Sequence, residues 1–311
     1  NTIIPQNIGV EKCGDLPAFF YHNQLNAALS FDPFAMVFYL VSRYEEYLST
    51  DLDQHHRFKA ASSLAYQHDF LELPLVNYWA IEIKKIIQKR YPNLVFPTQK
   101  FQFTPTYDID YAWAYLHKGW KRTIGGYAKM ALKNPRFLPQ RIKVELGFAR
   151  DPYFTYELLD NWHKTYELSP IYFFLVGNYG TFDKNISIYK KPFQALIQRI
   201  EAQNSIGLHP SYQSNKALNV LETELENLNQ VSSKQITKSR QHFLKLSFPI
   251  TYQNLIKIGI QADYSMGYAE NIGYRASITT PFYWFDLSKN ETTDLQIFPF
   301  QVMDVTLKNY L

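Results

Sequence analysis

The chain has 311 residues, of which 46% are hydrophobic and 19% are charged, and its formal net charge is +4. This is a globular profile, and the length is sufficient to bury a core without covalent cross-links. The single cysteine, Cys13, excludes an intramolecular disulfide framework and a zinc site built from several thiolates.

In residues 1–100, apolar residues recur at the spacing that is typical of helices. Asp32 and Pro33 form an N-cap signal, and apolar residues follow at helical spacing up to Tyr44. A second helix is predicted from about Pro74, and Pro92 prevents its continuation. We therefore expect a mostly helical N-terminal part that ends near residue 100.

From residue 101 onward, short strands alternate with amphipathic helices. This alternation predicts an α/β fold, with parallel strands that form a barrel-like sheet and helices packed outside it. The predicted strands are Phe101–Asp108, Ile171–Val176, Ile206–His209, Ile236–Leu244, Ile258–Asp263, Ser277–Trp284 and Ile297–Met303. The predicted helices are Tyr153–Glu167, Pro192–Gln203, Asn215–Asn229 and Ile250–Ile258.

Two carboxylates, Asp108 and Asp110, stand where the first of these strands ends. Alternate side chains of a strand share a face, so both carboxylates are expected to point to one spot. Like charges held together are costly unless a cation or a shared proton relieves them. A metal ligand beside a general base fits this spacing, and a helix N-cap beside a surface aspartate explains it equally well.

Three further polar residues lie at or near predicted strand ends. His209 ends a short apolar strand, and active-site groups of parallel α/β folds lie at such ends, although a lone histidine is more commonly structural. Arg240 and His242 alternate along another predicted strand, so they are expected on one face. A guanidinium would keep a catalytic carboxylate ionised, and His242 is a further candidate ligand or general acid.

Five short motifs follow one another in the chain: Thr106-Tyr107-Asp108-Ile109-Asp110, Gly207-Leu208-His209-Pro210-Ser211, Arg240-Gln241-His242, Asp263-Tyr264-Ser265, and Gly273-Tyr274-Arg275 through to Pro281-Phe282. In this order, the motifs resemble those of the polysaccharide deacetylases, carbohydrate esterase family four. The resemblance covers roughly residues 101–311, and the segment Ser42–Tyr47 resembles the helical N-terminal extension of a bacterial branch. It implies a distorted (β/α) barrel at 101–311 after a helical extension at 1–100.

The resemblance also implies an activity, since members of this family remove N-acetyl groups from amino sugars with a divalent metal. By position, Asp108 matches the catalytic base, Asp110 and His209 match metal ligands, and Arg240 matches the arginine that orients the base. The expected substrate is an N-acetylated glycan or a sugar intermediate of polysaccharide synthesis, with O-acetyl groups as an alternative. Expected substrate contacts are Tyr107, Ser211, Tyr212, Asp263 and Arg275.

The sequence departs from the family pattern at two places. Gln213 stands where the family has its second metal histidine, and His242 is the candidate substitute. The expected metal is zinc, with cobalt, nickel or manganese as alternatives and none if Gln213 weakens the site. No histidine follows His242, so the late catalytic histidine is missing. A fragment of a longer protein is expected, and a carbohydrate-binding domain that lost catalysis is the alternative function.

The segment 118–150 is strongly basic, with Glu145 as its only acidic side chain. It is expected to bind an anionic substrate or a membrane surface, and a solvated helical insertion is the alternative. Nucleic acid is not expected, because no recognised binding motif surrounds these charges. With no apolar run of eighteen residues and no signal peptide, a cytoplasmic location is the expectation. The basic residues are Lys118, Lys121, Arg122, Lys129, Lys133, Arg136, Arg141, Lys143 and Arg150.

Overall fold

The computed structural model describes residues 3–310, which divide into two compact units. One unit is Phe101–Ile236, and the other combines the chain up to Lys100 with the chain from Thr237 onward. This grouping by contacts differs from the sequence division at residue 100, which stays a prediction. None of the helices in the described part of the chain has the length and apolar character needed to span a bilayer.

The elements are labelled in chain order. The strands are β1 Glu11–Cys13, β2 Leu16–Ala18, β3 Thr106–Ile109, β4 Ile171–Phe174, β5 Ser205–Leu208, β6 Lys238–Ser239, β7 Ala262–Asp263, β8 Phe282–Asp286 and β9 Glu291–Ile297. The helices are α1 Pro33–Val41, α2 Tyr44–Leu48, α3 Leu64–Gln67, α4 Leu75–Arg90, α5 Trp120–Lys133, α6 Leu138–Glu145, α7 Tyr156–Thr165, α8 Lys191–Glu201, α9 Leu218–Asn229, α10 Ile250–Lys257 and α11 Asp304–Tyr310.

The unit Phe101–Ile236 contains the parallel strands β3, β4 and β5, with β4 in the middle. Every residue of β4 is buried, which explains its continuous apolar sequence. Helices α5 to α7 lie between β3 and β4 in the chain, and α8 lies between β4 and β5. The predicted α/β fold with parallel strands is therefore confirmed, whereas a closed barrel stays a prediction.

The other unit combines helical and strand elements. Its first hundred residues hold α1 to α4 and the short hairpin of β1 and β2. After Thr237, β6 pairs in parallel with β7, β7 pairs in parallel with β9, and β8 is antiparallel to β9. Helices α1 to α4 are the longest elements of these hundred residues, and the mostly helical N-terminal extension stays a prediction.

Several predicted strands differ from the observed ones. Phe101–Asp108 is observed as Thr106–Ile109, Ile258–Asp263 as Ala262–Asp263 and Ser277–Trp284 as Phe282–Asp286. The strand predicted at Ile236–Leu244 is only Lys238–Ser239, and a 3₁₀ turn with Phe243 at φ 61° follows it. The N–H of Gln241 donates to Ser265 Oγ at 2.8 Å, so a side chain replaces the strand partner there. Arg240 and His242 therefore do not alternate on a strand. The strand predicted at Ile297–Met303 is observed as Glu291–Ile297. It ends before Pro299, which has no N–H to donate to a neighbouring strand.

The N-cap predicted for α1 is confirmed and leads to a testable consequence. Asp32 Oδ1 accepts hydrogen bonds from Phe34 N at 2.9 Å and Ala35 N at 3.0 Å. We expect Asp32→Ala to lower the free energy of unfolding by about 1 kcal/mol in urea denaturation, because two N–H groups lose their acceptor. Asp294→Ala, at an exposed aspartate of β9, is the control. An equal loss in both variants would contradict the capping role.

Candidate functional site

Asp108 and Asp110 lie at the carboxyl end of β3, as the sequence predicts. Asp108 is half-buried and pairs in register with Phe173 of β4, and Asp110 directly follows the strand. Tyr107 is directed to the other face, where its hydroxyl lies 2.9 Å from His163 Nε2. Because side chains alternate along a strand, Asp108 projects away from this tyrosine–histidine contact. The substrate contact expected of Tyr107 stays a prediction.

His209 directly follows β5 and is only 2% exposed. Its backbone N–H donates to the carbonyl of Phe174 at 2.9 Å, which fixes the residue at the end of the parallel strands. Its Nε2 lies 3.2 Å from Asp110 Oδ1. Within the unit Phe101–Ile236, the structure thus brings together two of the predicted metal ligands, although they are far apart in the chain.

The contact between Asp110 and His209 is compatible with two chemical states. A histidine that is protonated on Nε2 donates this proton to the carboxylate. A neutral imidazole with its proton on Nδ1 instead offers the Nε2 lone pair, and the carboxylate oxygen then is a second donor for one cation. Imidazole nitrogen and carboxylate oxygen are both ordinary zinc ligands. The donor chemistry of the two residues therefore fits a divalent metal.

The loop after His209 is held by buried carboxyl groups. Ser211 N donates to Glu224 Oε2 at 2.9 Å, and Tyr212 N donates to Asp183 Oδ1 at 2.9 Å. Ser211 Oγ in turn accepts the N–H of Ser214 at 3.2 Å. These contacts fix the loop that carries Ser211 and Tyr212. Their expected contacts with substrate stay predictions.

Gln213 lies in the same loop but is exposed, whereas Tyr212 and Ser214 on either side of it are buried. Its side chain therefore does not share the buried interior of the loop. An amide is also a poorer and neutral ligand compared with an imidazole. Gln213 thus does not supply the second imidazole that the sequence resemblance implies at its position.

Glu224 was not predicted as part of the site, although it lies on the buried side of α9. It is 2% exposed, and a Cβ added at Gly177 would lie 2.6 Å from its Oε1, so the close approach requires glycine there. Burial, together with the nearby Asp183, raises the pKa of Glu224 to about 7, against hydrogen bonds from Ser211 that lower it. Its sequence signal was a charged residue within an apolar stripe at helical spacing, formed by Leu221, Leu225 and Leu228.

The raised pKa of Glu224 predicts how stability depends on pH. This carboxyl has an ordinary pKa of 4.5 when unfolded and about 7 when folded, so the folded chain retains its proton over this interval. Its contribution to stability is therefore full below 4.5 and is lost as the pH rises through 7. At pH 8, we expect the free energy of unfolding of Glu224→Gln, measured by urea denaturation, to exceed that of the parent chain by roughly 3 kcal/mol. At pH 4, we expect the two free energies of unfolding to be similar.

A matched control for this prediction lies on the same helix. Glu222 is exposed on α9, so Glu222→Gln should leave the pH dependence of the unfolding free energy unchanged. Both measurements are made with a chelator present, so that metal binding does not contribute. If Glu224→Gln retains the full loss of stability between pH 5 and pH 8, the buried carboxyl is not its source.

Arg240 and His242 belong to the other unit, and both are buried. Arg240 Nε donates to the carbonyl of Tyr264 at 2.9 Å, and its guanidinium lies 5.2 Å from the centroid of the Phe300 ring. His242 begins the 3₁₀ turn that replaces the predicted strand. Their expected roles, orientation of the base for Arg240 and metal binding or acid catalysis for His242, stay predictions.

Asp263 and Arg275 are bound to protein groups inside the same unit. Asp263 is fully buried and accepts hydrogen bonds from Ser265 N at 2.9 Å and Ser239 Oγ at 2.8 Å. Burial raises its pKa above the ordinary value, against these hydrogen bonds. Arg275 Nε donates to Glu46 Oε1 at 2.8 Å. These contacts organise the protein, and the substrate contacts expected of both residues stay predictions.

Comparisons with known proteins find little beyond the N-terminal part. A family described as a family of unknown function (DUF7033) matches residues 1–92. No curated protein matches the chain. Among solved structures, the chain is similar to one described as "Crystal structure of putative polysaccharide deacetylase from Mycobacterium smegmatis", with 11% identity and a TM-score of 0.34. The similarity covers 66% of this chain and 62% of that chain, so it spans less than two thirds of that chain. Function must therefore be inferred from side chains.

Proposed function

We propose that this chain is a metal-dependent deacetylase that removes N-acetyl or O-acetyl groups from a glycan or a polysaccharide-synthesis intermediate. The observation that supports it best is the 3.2 Å approach of His209 Nε2 to Asp110 Oδ1 at the carboxyl ends of β5 and β3. The ordered motifs around these residues resemble those of polysaccharide deacetylases. A distorted (β/α) barrel is part of the same proposal.

The proposed metal ligands are Asp110, His209 and His242, with zinc as the metal. Catalytic zinc sites ordinarily use three protein ligands and keep one position for water or substrate. We assign the third ligand to His242 because Gln213 is exposed and bears a neutral amide. When bound, such a metal lowers the pKa of its water and polarises a carbonyl.

Asp108 is the proposed general base. It lies two residues before Asp110 on the same face of the chain, so its carboxylate is directed toward the same edge of the parallel strands. A base must accept a proton from the attacking water, which requires an ionised carboxylate at working pH. In the proposal, the guanidinium of Arg240 keeps this carboxylate ionised and oriented.

Acetate release separates this function from carbohydrate binding without catalysis. The chain is incubated with N-acetylated chitooligosaccharides and an O-acetylated glycan, with zinc, cobalt, nickel or manganese or with a chelator. Metal-dependent acetate release that the chelator abolishes is the expected result. Binding of the oligosaccharides without release under any metal would instead support a carbohydrate-binding domain.

A further inference from the structure

The basic helical segment, residues 118–150, contains a group of polar contacts centred on Arg141. The buried Arg141 of α6 donates to Glu145 at 2.8 Å and to the carbonyl of Thr123 in α5 at 2.9 Å. Its guanidinium also lies 4.0 Å from the centroid of the Tyr127 ring. A Cβ at Gly126 would lie 2.5 Å from Arg141 Nη1, so the guanidinium lies directly against the glycine backbone. The buried Arg141 therefore connects α6 to α5 through a hydrogen bond and a cation–π contact.

The apolar side of α5 is directed to solvent. The helix has no buried residue, and Trp120, Ile124, Ala128 and Ala131 form an exposed stripe at spacings of four, four and three. Leu132 lies beside this stripe and is 86% exposed, and Trp120 is 71% exposed. A helix on the surface of a globular protein ordinarily directs its apolar side to the core. This inverted arrangement indicates that something apolar covers α5 in the working protein.

Exposed apolar residues continue through the rest of the segment. Large exposed apolar surfaces of this kind mark interaction sites more often than scattered single residues do. The additional residues, in the turn after α5, in α6 and just beyond it, are Phe137, Ile142, Leu146 and Phe148.

The charges of the segment identify the kind of surface that fits it. Its only carboxylate, Glu145, is already bonded to Arg141 and Tyr127. On α5 and α6, the exposed lysines form no ion pair with any described residue; they are Lys121, Lys129, Lys133 and Lys143. The partner must therefore combine an apolar layer with negative charge, and an anionic bilayer surface has both.

We propose that residues 118–150 bind the surface of an anionic lipid bilayer. The exposed stripe of α5 enters the boundary between headgroups and acyl chains, and the lysines remain at the level of the lipid phosphates. Tryptophan and lysine side by side at a helix surface are typical of this interface. This proposed surface does not use Asp110 or His209, and the proposal does not depend on deacetylase activity.

Vesicle sedimentation with the full chain tests this proposal. Vesicles of phosphatidylcholine alone are compared with vesicles that contain phosphatidylglycerol as well. We expect binding to the anionic vesicles only, weakened by salt, with about fivefold lower partitioning for each lysine neutralised in Lys129→Gln and Lys133→Gln. Leu132→Ser should also weaken binding, and Trp120 fluorescence should shift to the blue on binding.

Matched controls use the exposed surface of α7 in the same unit. Trp162 and Lys164 are exposed there, so Trp162→Ala and Lys164→Gln should leave vesicle binding unchanged. Circular dichroism confirms that each variant is folded. Equal binding to neutral and anionic vesicles, or no binding to either, overturns the proposal. Self-association would overturn it too: if the molecular mass in solution rises with protein concentration and Leu132→Ser abolishes this rise, the surface binds a second copy of the chain.

Discussion

Replacement of Asp110 or His209 by alanine is expected to weaken zinc binding roughly 100-fold or more, beyond the loss typical of residues that only support a ligand. The reason is that each variant removes one of two donors that meet at 3.2 Å at the strand ends. Isothermal titration calorimetry of the purified chain with zinc measures the affinity directly. His242→Ala is expected to cause a loss of similar size if His242 is the third ligand.

Controls distinguish loss of a ligand from loss of structure. His68 and Asp294 are exposed, so His68→Ala and Asp294→Ala should leave zinc affinity unchanged. Asp108→Asn should retain zinc but lower kcat for acetate release by roughly 10² to 10⁴, because it removes only the base. Unchanged zinc affinity in His209→Ala would remove the metal site, and unchanged affinity in His242→Ala alone would remove that residue from it.

The parts of the fold that were predicted correctly have strong local signals. Asp32 and Pro33 mark the start of α1. The continuous apolar sequence of β4 indicates a strand that is buried on both faces. The strand predicted through Arg240 fails because its partner is not local. There the backbone of Gln241 bonds to the side chain of Ser265, a contact that no short-range pattern shows.

The residues of the candidate site could be predicted only in part from the sequence. Asp110 and His209 follow strands directly, and polar residues at strand ends are recognisable from the pattern. Glu224 was missed because a glutamate on a helix is ordinarily solvated, and its position on the buried stripe of α9 becomes clear only when the helix register is known. Asp183 lies in a loop, where periodicity gives no information about burial.

A buried ion network in the unit that contains the N-terminal part was also not anticipated, because charged side chains are rarely fully buried. Arg43 Nε contacts Glu46 Oε1 at 2.7 Å, and Arg275 Nη2 contacts Glu46 Oε2 at 2.5 Å. Arg43 also contacts Glu45 at 2.9 Å. Burial alone would raise the pKa of Glu46, but Arg275 and Arg43 lower it below the ordinary value. The segment matched by DUF7033, residues 1–92, therefore contributes a carboxylate that a residue far along the chain requires.

Glu46→Ala is expected to lower the free energy of unfolding by about 3 to 5 kcal/mol, because it leaves the guanidinium groups of Arg43 and Arg275 buried without their shared carboxylate. Urea denaturation measures this loss. Glu82→Ala removes a carboxylate from the exposed pair of Glu82 with Lys85 on α4, and it should cost only about 0.5 kcal/mol. The double variant Glu46→Leu with Arg275→Met should lose less than the sum of the single losses, since Arg275 is no longer left without its carboxylate and the remaining Arg43 keeps its contact with Glu45. Similar small losses in Glu46→Ala and Glu82→Ala would show that the network does not stabilise the fold.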